Sequence, residues 1–535
     1  MRKSFQLSAF SFQLLLILTS SLFLVLSFPN FNYEFLAWIA LVPLFFAIDN
    51  QKPFKAFVLS YLCGLLFFLG TVYWLIHVTL PGMIIVALYL ALYFGFFGAL
   101  CSYFLRTTQN AQRTTSHYFT LIAIPSTWVA LELARSRFLT GFGWNLLAHS
   151  QSYTLPVIQI ADITGVYGVS FLIVMVNAGI FLTVKNLRKK NYSLAYLTVA
   201  IFIVYISVAY GTYRLKNIFT GEGLRVAVIQ GNIPQVKKWD VNFRGDILSK
   251  YEKLTREAAR EKVDLVIWPE TSVPGFLETE RDLFERIRNL TREIKTPLLV
   301  GAPREGRGPK EAYYNSTYLF GDDGRLLDRY DKIHLVPFGE YVPAKDIFSF
   351  VENFAPSPIG DFTAGNNYTV FKFSIERNTE NYKLKWKLIR KVKFSTLVCF
   401  EDIFPDLARE FVRRGAEVLV NMTNDAWFGR SSAAYQHAQS SVFRAVENRV
   451  NVVRAANTGL SCFIDQKGRI TAAVGPPGNE IFTDGYKIHD LVLTKTRTFY
   501  TVYGDLFAYL CVIIAVLCFL ILKQYRRKKD IWKIT

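Results

Sequence analysis

The feature that most constrains this chain is a series of apolar runs between residues 1 and 212, each close to the length needed to cross a bilayer. A membrane-spanning helix needs about 20 mainly apolar residues, and seven runs in this region approach that length. An eighth run follows a long region of mixed polarity. The sequence therefore predicts a polytopic helical membrane domain of about eight spans. The predicted spans are residues 10–28, 34–49, 57–79, 83–105, 117–135, 164–184, 194–211 and 504–522.

Composition supports a chain that is divided between membrane and soluble parts. Of its 535 residues, 51% are hydrophobic, which is too apolar for a single soluble domain of this length. The formal net charge is +19, yet the sequence has no basic stripe with interleaved aromatic residues, so nucleic acid is not an expected partner. Much of the positive charge flanks the apolar runs instead, where it favours contact with anionic lipid.

The cysteines and histidines predict neither a disulfide framework nor a metal site. The six cysteines include no Cys-x-x-Cys pair, and four of them lie inside apolar runs. None of the six histidines has a partner at metal-ligand spacing, and we expect His334 and His437 to be hydrogen-bonded. No metal or other cofactor is therefore expected.

Basic residues between the runs predict which side of the membrane each loop faces. They follow the second, fourth, sixth and eighth runs, whereas the loops around Pro29 and Pro81 have none and the longer connection near 135–163 has two. Because cytoplasmic loops are enriched in lysine and arginine, we expect both termini in the cytoplasm of a bacterial inner membrane, and residues 213–503 in the periplasm. The first run lacks a clear cleavage site, so we expect it to be retained. The basic residues are Lys52, Lys55, Arg106, Arg113, Lys185, Arg188, Lys189, Lys190, Lys523, Arg526, Arg527, Lys528 and Lys529.

Two charged residues fall near the end of the fifth predicted span. Glu132 and Arg135 lie three residues apart, in a region where an unpaired charge is costly. Two interpretations are open at this point. The pair forms a site for a lipid headgroup or a substrate, or it is an ion pair at the interface that satisfies itself.

Residues 213–503 alternate between strand and helix patterns, which is typical of an α/β domain. Strands are predicted at 224–233, 298–302, 417–425 and 451–457, helices near 278–293, 405–414 and 432–448, and hairpin turns at 321–324 and 465–468. The predicted domains are residues 1–212 with seven spans, 213–503 as the α/β domain, and 504–535 with the last span and a basic tail.

Three stretches of this α/β region carry residues suited to catalysis. Glu270 follows an apolar strand in VDLVIWPETSVPGF, Lys332 lies in the loop sequence YDKIHLVPFGEYVP, and Cys399 ends an apolar strand in FSTLVCFEDIFPD. A cysteine thiol is mostly protonated at neutral pH, so it needs a base to take its proton and a cation to favour the thiolate. Glu270 fits the base, Cys399 the nucleophile and Lys332 the cation.

These three ordered blocks resemble the nitrilase superfamily, whose members carry a Glu-Lys-Cys triad. The resemblance implies a four-layer αββα sandwich and attack of the cysteine on a carbonyl or nitrile carbon, through an acyl-enzyme. Lys332 would then stabilise the oxyanion, aided by the main-chain N–H of Phe400.

A nitrilase-like domain between the seventh and eighth spans resembles the bacterial apolipoprotein N-acyltransferase family. This resemblance implies supporting roles for Glu340 and Glu401, which would fix Lys332 or orient the incoming amine, and pocket positions for Trp239, Asn315 and Trp427. One departure is Phe400, where the family commonly has tyrosine. The implied reaction moves the sn-1 acyl chain of a phospholipid, typically phosphatidylethanolamine, to Cys399. The chain then passes to the α-amino group of the diacylglyceryl-cysteine that begins a lipoprotein, and we expect a monomer.

Three alternatives remain open from the residues. A membrane-tethered amidase or nitrilase would use the same triad with water as the acceptor. A transporter or lipid-binding protein with an inactive outer domain would need no triad, and the intact triad counts against it. A fusion to a glycosyltransferase is not expected, because the sequence stops at residue 535.

Overall fold

A computed structural model describes the chain over residues 2–109, 114–187, 193–306, 312–342, 362–378 and 387–531. Part of the predicted orientation depends on Arg113, Arg188, Lys189 and Lys190, which lie outside the described residues. The chain divides into two compact units. The helical unit comprises Met1–Ile76, Leu80–Asn217 and Tyr503–Thr535, and the α/β unit comprises His77–Thr79 and Ile218–Val502.

Sixteen α-helices are described, with short 3-10 turns between several of them. They are α1 (Arg2–Leu26), α2 (Leu41–Ile48), α3 (Pro53–Thr71), α4 (Leu80–Gln109), α5 (Thr114–Arg135), α6 (Leu155–Ile158), α7 (Ala161–Thr164), α8 (Val166–Asn186), α9 (Ser193–Lys216), α10 (Gln235–Lys238), α11 (Arg244–Ala259), α12 (Arg281–Ile294), α13 (Pro405–Arg413), α14 (Ala433–Asn448), α15 (Phe499–Tyr503) and α16 (Leu506–Ile531).

Five helices of the helical unit are long and apolar enough to cross a membrane, within the described residues. They correspond to the runs predicted at 57–79, 83–105, 164–184, 194–211 and 504–522. The run predicted at 34–49 is instead divided between a 3-10 turn at Glu34–Trp38 and the eight-residue α2, which is too short to cross a bilayer alone. The helical unit is therefore a membrane-type bundle, and its full span count stays a prediction.

Close packing of α3 against α4 shows how the bundle is held without a hydrophobic driving force from water. A Cβ atom built on Gly98 of α4 would lie 1.9 Å from Ser60 Oγ and 2.8 Å from the carbonyl oxygen of Ala56, both on α3. Small residues at such crossings let two helix backbones approach closely. The resulting van der Waals contacts attract the helices in lipid, where burial of apolar surface gives no driving force.

The α/β unit contains two six-stranded sheets, in the orders β12-β1-β2-β3-β4-β5 and β11-β10-β9-β8-β7-β6. The strands are β1 (Gly223–Gln230), β2 (Leu265–Ile267), β3 (Leu298–Glu305), β4 (Tyr313–Phe320), β5 (Leu326–Asp331), β6 (Phe371–Asn378), β7 (Lys387–Val398), β8 (Val418–Thr423), β9 (Asn451–Ala456), β10 (Cys462–Ile464), β11 (Ile470–Ala473) and β12 (Gly485–Val492).

Each sheet has a parallel centre with antiparallel strands outside it. The strands β1, β2 and β3 run parallel in the first sheet, and β7, β8 and β9 do so in the second. The sheets face each other where Thr317 Oγ1 of β4 lies 3.1 Å from Thr396 Oγ1 of β7, a buried contact. Side chains that follow the central strands therefore gather at the carboxyl ends of the sheets.

Helices cover the sheets. Apolar side chains of α11 and α12 share one buried core with β1 to β4, and α13 and α14 lie against β7, β8 and β9. The helix α14 is unusually enclosed, because all of its residues except Tyr435 are buried. This arrangement confirms the predicted α/β domain and the predicted pairing of its strands as two sheets.

Most predicted elements of this unit are confirmed, including the hairpin between β4 and β5 and the helix that begins at Pro405. The strand before Cys399 is longer than predicted, since β7 begins at Lys387. Strands β6 and β12 were not predicted. Residues of β12 are mostly half-exposed, so they lack the continuous apolar run that marks a buried strand.

Gly301 in β3 packs directly against the main chain on either side of Glu270, so a substitution there tests how tight this contact is. A Cβ atom on Gly301 would lie 2.5 Å from the main-chain nitrogen of Thr271 and 2.8 Å from the carbonyl oxygen of Pro269. We expect Gly301→Ala to lower the free energy of unfolding by about 1–3 kcal/mol, because neither backbone atom can move aside freely. Gly223→Ala is the matched control, since nothing lies within 4 Å of its Cβ. Equal unfolding midpoints for the two variants would contradict this account.

Candidate active site

Glu270 is held at the end of a buried strand. It comes three residues after β2, and the intervening Trp268 is buried, stacks on Tyr251 at 5.0 Å and donates its indole N–H to Thr255 Oγ1 at 2.7 Å. The Glu270 side chain is itself 9% exposed. The strand end and the anchored tryptophan together fix the direction in which this carboxylate points.

Lys332 is a buried ammonium between two carboxylates. It follows β5 directly, and its side chain is 1% exposed. Its Nζ lies 2.9 Å from Glu340 Oε2 and 3.9 Å from Glu270 Oε1. Burial alone would lower the pKa of Lys332, but the charges of Glu340 and Glu270 outweigh it and hold that pKa above its ordinary value. The lysine is therefore positively charged at neutral pH.

Asn315 of β4 joins the two carboxylates. Its Nδ2 donates to Glu270 Oε1 and to Glu340 Oε1, each at 2.8 Å, and the residue is 5% exposed. Two acceptors on one amide hold Glu270 and Glu340 apart at a fixed separation around Lys332. The two oxygens that would otherwise compete for the lysine are thus each partly satisfied by an amide donor.

Cys399 follows β7 in a strained backbone conformation. Its φ is 52°, in the left-handed region that residues other than glycine rarely adopt. The strain is compensated by two hydrogen bonds to its carbonyl oxygen, from Asn421 Nδ2 at 3.0 Å and His437 Nε2 at 3.1 Å. The sharp turn places Cys399, a half-buried residue, at the end of the strand.

The resting thiol is protonated. Burial and the charge of Glu270 raise the pKa of Cys399, while Lys332 and a hydrogen bond from Thr423 lower it by less. A thiol in this state becomes a nucleophile only when a base takes its proton during the reaction. Glu270 is the carboxylate whose charge acts on the thiol most strongly.

Glu401 connects the turn of Cys399 to the loop of Lys332. Its side chain is fully buried, and burial raises its pKa to about 7. Its two oxygens accept four hydrogen bonds. The donors are the Tyr330 hydroxyl (2.7 Å) and the main-chain N–H groups of Ile333 (2.7 Å), His334 (3.0 Å) and Val398 (2.7 Å). Glu401 thus holds the main chain beside Lys332, whereas Glu340 contacts the lysine itself.

The two tryptophans expected in the pocket are not hydrogen-bonded to the triad in the described part of the chain. Trp239 follows α10 and is half-buried, and its indole nitrogen is buried with no hydrogen-bond partner among the described residues. Trp427 lies in the 3-10 turn Asp425–Phe428 and is 37% exposed. Both residues keep part of their surface exposed.

Lys238 is a second buried lysine at the site, and the sequence analysis missed it. Its Nζ donates to the carbonyl oxygen of Glu270 at 2.9 Å, and the residue is 3% exposed. Burial lowers its pKa to about 8, while Glu270 and Cys399 act in the opposite direction. The only signal for it in the sequence is its place directly before Trp239.

A buried cluster of four charges beneath Cys399 was also missed. His437 Nδ1 lies 3.0 Å from Asp425 Oδ1, and its Nε2 lies 2.9 Å from Asp402 Oδ1. Arg454 Nη1 donates to Asp402 Oδ2 at 2.7 Å. The prediction that His437 is hydrogen-bonded is confirmed, and because acceptors face both of its nitrogens, the ring carries two protons.

The family model described as carbon–nitrogen hydrolase matches residues 225–493, which covers most of the α/β unit and all of the residues above. The α/β unit therefore belongs to the carbon–nitrogen hydrolase class. A second model, described as the N-terminal domain of apolipoprotein N-acyltransferase, matches residues 20–179 of the helical unit. The chain belongs to the apolipoprotein N-acyltransferase family, and it is an acyltransferase.

Relatives match over nearly the whole length. Apolipoprotein N-acyltransferase of Geobacter metallireducens is 39% identical over 94% of this chain and 95% of its own length. The enzyme of the same name from Chlorobaculum tepidum is 31% identical over 93% of this chain and 94% of its own. Among solved structures, a mutant of the Nesterenkonia AN1 amidase from the nitrilase superfamily is 18% identical, covers 55% of this chain and 95% of its own, and has a TM-score of 0.36.

The charge cluster beneath Cys399 predicts a pH-dependent stability. Burial would lower the pKa of His437, but Asp402 and Asp425 raise it to about 9 from 6.5. A pKa raised on folding stabilises the protein fully below the unfolded value, and this stabilisation is lost as pH rises through the folded value. We expect wild type to exceed His437→Gln in free energy of unfolding by on the order of 3 kcal/mol at about pH 6, and the gap to shrink by about pH 10. A gap that stays constant with pH would contradict a charged His437.

Proposed function

We propose that Glu270, Lys332 and Cys399 are the catalytic triad of a phospholipid:apolipoprotein N-acyltransferase. The observation that carries this proposal is the arrangement of one carboxylate and one buried ammonium, joined through Asn315 and Glu340, whose charges both act on the Cys399 thiol. Membership of the family supplies the reaction class. Glu340 and Glu401 support the triad, and Trp239 and Trp427 offer apolar surface to an acyl chain.

In the first half-reaction, Glu270 takes the thiol proton while sulfur attacks the sn-1 ester carbonyl of the phospholipid. The tetrahedral oxyanion is stabilised by Lys332 and by the main-chain N–H of Phe400. When the intermediate collapses, the carbon–oxygen bond breaks, and the lysophospholipid alkoxide takes the proton back from Glu270. The acyl group remains on Cys399 as a thioester.

In the second half-reaction, the neutral α-amino group of the diacylglyceryl-cysteine attacks the thioester carbonyl. Glu270 accepts the proton from the nitrogen, the carbon–sulfur bond breaks, and the thiolate leaves and takes that proton. Lys332 stabilises both the oxyanion and the departing thiolate. The two substrates visit the sulfur in turn, because the covalent thioester stores the acyl group between them.

The membrane arrangement follows from the same function. We propose eight spans in a bacterial inner membrane, with both termini in the cytoplasm and the domain of residues 213–503 in the periplasm, between residues 1–212 and 504–535. Both substrates carry acyl chains, so an enzyme that joins them has to work at a bilayer surface. Phosphatidylethanolamine is the proposed acyl donor, and the proposed working unit is a monomer.

The acyl-enzyme is the direct test of the triad. Protein incubated with labelled phosphatidylethanolamine alone should carry hydroxylamine-sensitive label at Cys399 and release lysophospholipid. Cys399→Ala should carry none, and Glu270→Gln should acylate at least about 100-fold more slowly because the thiol keeps its proton. Cys462→Ala is the matched control, since Cys462 is a buried cysteine of β10 outside the site.

A diacylglyceryl peptide with a free N-terminus should discharge the label as an acylated peptide, whereas a peptide with a blocked amine should not. Release of free fatty acid at the same rate with either peptide would instead favour the membrane-tethered hydrolase, in which water is the acceptor. Normal turnover in Cys399→Ala would refute the proposed nucleophile.

The topology is tested with reporters that are active only in the cytoplasm. The excess of basic residues in alternate loops predicts activity for fusions after Lys190 and at Thr535, and none for a fusion near Gly360. Activity of the Gly360 fusion would overturn both the orientation and the periplasmic site. Two further fusions within α4, one placed after Arg106 and one placed before it, test whether this basic residue contributes to the orientation.

A further inference from the structure

Lys238 is a buried cation beside the triad that the proposed mechanism does not use. It is the last residue of α10 and is 3% exposed. Its neighbour Lys237 is exposed, with Nζ 4.7 Å from the centre of the Phe243 ring. Burying an ammonium is costly unless opposite charge or hydrogen bonds compensate the lost solvation. The contrast between the two lysines shows that burial belongs to this one position of the segment.

Two asparagines hold the segment that leads to Lys238. Asn457 follows β9, and its Nδ2 donates to the carbonyl oxygen of Ile233 at 2.8 Å while its Oδ1 accepts the main-chain N–H of Ile233 at 2.8 Å. Asn424 follows β8, and its Nδ2 donates to Gln235 Oε1 at 2.8 Å. The two asparagines also bond to each other, at 2.9 Å. These contacts tie α10 to the carboxyl ends of strands in the second sheet, and so they fix where the Lys238 side chain begins.

The Lys238 ammonium ends on the main chain of the proposed base. Its Nζ donates to the carbonyl oxygen of Glu270 at 2.9 Å. An ammonium has three N–H donors, yet this carbonyl is its only acceptor among the described residues, and no carboxylate there pairs with it. Lys332 differs, because Glu340 Oε2 lies 2.9 Å from its Nζ. A neutral amide donor would serve one carbonyl equally well, so the hydrogen bond alone does not account for a charged group at this position.

The charge of Lys238 is compensated most fully when Cys399 is a thiolate. Burial lowers the pKa of Lys238 to about 8, and the negative charges of Glu270 and of a Cys399 thiolate oppose this effect. Because the resting thiol is neutral, the second of these charges exists only during the reaction. An interaction that is stronger in the transition state than at rest accelerates the chemical step, and Lys238 meets this condition.

We propose that Lys238 is a positioning residue of the acylation step. It holds Glu270 through the main chain, and its positive charge, in addition to that of Lys332, favours the Cys399 thiolate. The inference rests on the proposed function, because it assigns a role beside the proposed triad. Lys332 is held by its carboxylate partners and acts on the oxyanion, whereas Lys238 acts on the base and on the sulfur.

The first test measures alkylation of Cys399 by iodoacetamide, with peptide-level mass spectrometry on the complete protein in lipid nanodiscs. Iodoacetamide reacts with the thiolate, so the rate at about pH 7 reports how much thiolate is present. Lys238→Met removes the charge and keeps a similar size, and we expect it to slow alkylation about tenfold. Lys237→Met is the matched control and should react at the wild-type rate. Equal rates for Lys238→Met and wild type would overturn the proposal.

The second test measures acyl-enzyme formation from labelled phosphatidylethanolamine. Lys238→Met should lower kcat of this half-reaction by about 10- to 100-fold and leave the KM within about twofold of wild type, because Lys238 positions the base. A raised KM with unchanged kcat would assign Lys238 to donor binding and refute the positioning role. Alkylation needs no acyl donor. Failure of acylation in wild type would therefore count against the proposed function and leave the role of Lys238 separately tested.

The pH profile distinguishes a charge from a spacer, and its wild-type arm needs no variant to fold. The value of kcat/KM for acyl-enzyme formation reports groups of the free enzyme. In wild type it should fall as pH rises through about 8, where Lys238 loses its proton, and it should recover when the pH is returned. Other groups near Lys238 do not produce this decline, because Lys332 has its pKa held above the ordinary value and so does Cys399.

Lys238→Arg completes the comparison, since a guanidinium keeps the donor and the charge but does not lose its proton in this range. It should restore at least about tenfold of the kcat lost in Lys238→Met, and its alkaline decline should move above about pH 9. A wild-type profile that stays flat between about pH 7 and 9 would overturn the proposal. An alkaline decline at the same pH in Lys238→Arg as in wild type would overturn it as well.

Discussion

The buried carboxylate of Glu401 is the interaction on which the candidate site depends. It accepts one hydrogen bond from Val398, next to the nucleophile, and three from residues 330 to 334, around the lysine. The turn of Cys399 belongs to the second sheet and the loop of Lys332 to the first, so one side chain fixes their separation. Removing one partner of such a buried network leaves the other donors unsatisfied, which costs far more than a surface contact. An acid two residues from Cys399 can thus be structural, which agrees with Glu270 as the proposed base.

The charged side chains near Glu401 keep the resting Cys399 thiol protonated. Glu270 and Glu340 lie beside Lys332, and Lys238 holds the main chain of Glu270. The carboxylates keep Lys332 charged, and burial together with Glu270 keeps the resting thiol neutral. A neutral thiol in a closed site is poorly reactive toward stray electrophiles. The thiolate is needed only transiently, in the presence of an acyl carbon.

Close helix crossings and ion pairs hold the helical unit together. A Cβ atom on Gly98 of α4 would overlap Ser60 of α3, so these two backbones approach more closely than a larger residue would allow. Opposite charges also pair within this unit, as Arg137 and Asp505 do at 2.7 Å.

The sequence by itself determined five of the long apolar helices, the alternation of strands and helices, and the order Glu270, Lys332, Cys399, because each of these depends on local periodicity or on a short motif. It also placed Glu340 and Asn315 near the triad through resemblance, without giving their contacts. Only the tertiary structure decided that Asn315 bridges two carboxylates and that Glu401 binds main chain. It also decided that Lys238 contacts Glu270, that His437 contacts Cys399 and that Arg454 contacts Asp402. Those contacts join residues far apart in sequence, such as Asp402 and Arg454, and no local pattern records them. They depend instead on which strand ends meet when two sheets pack face to face, and on which buried polar groups must then find partners.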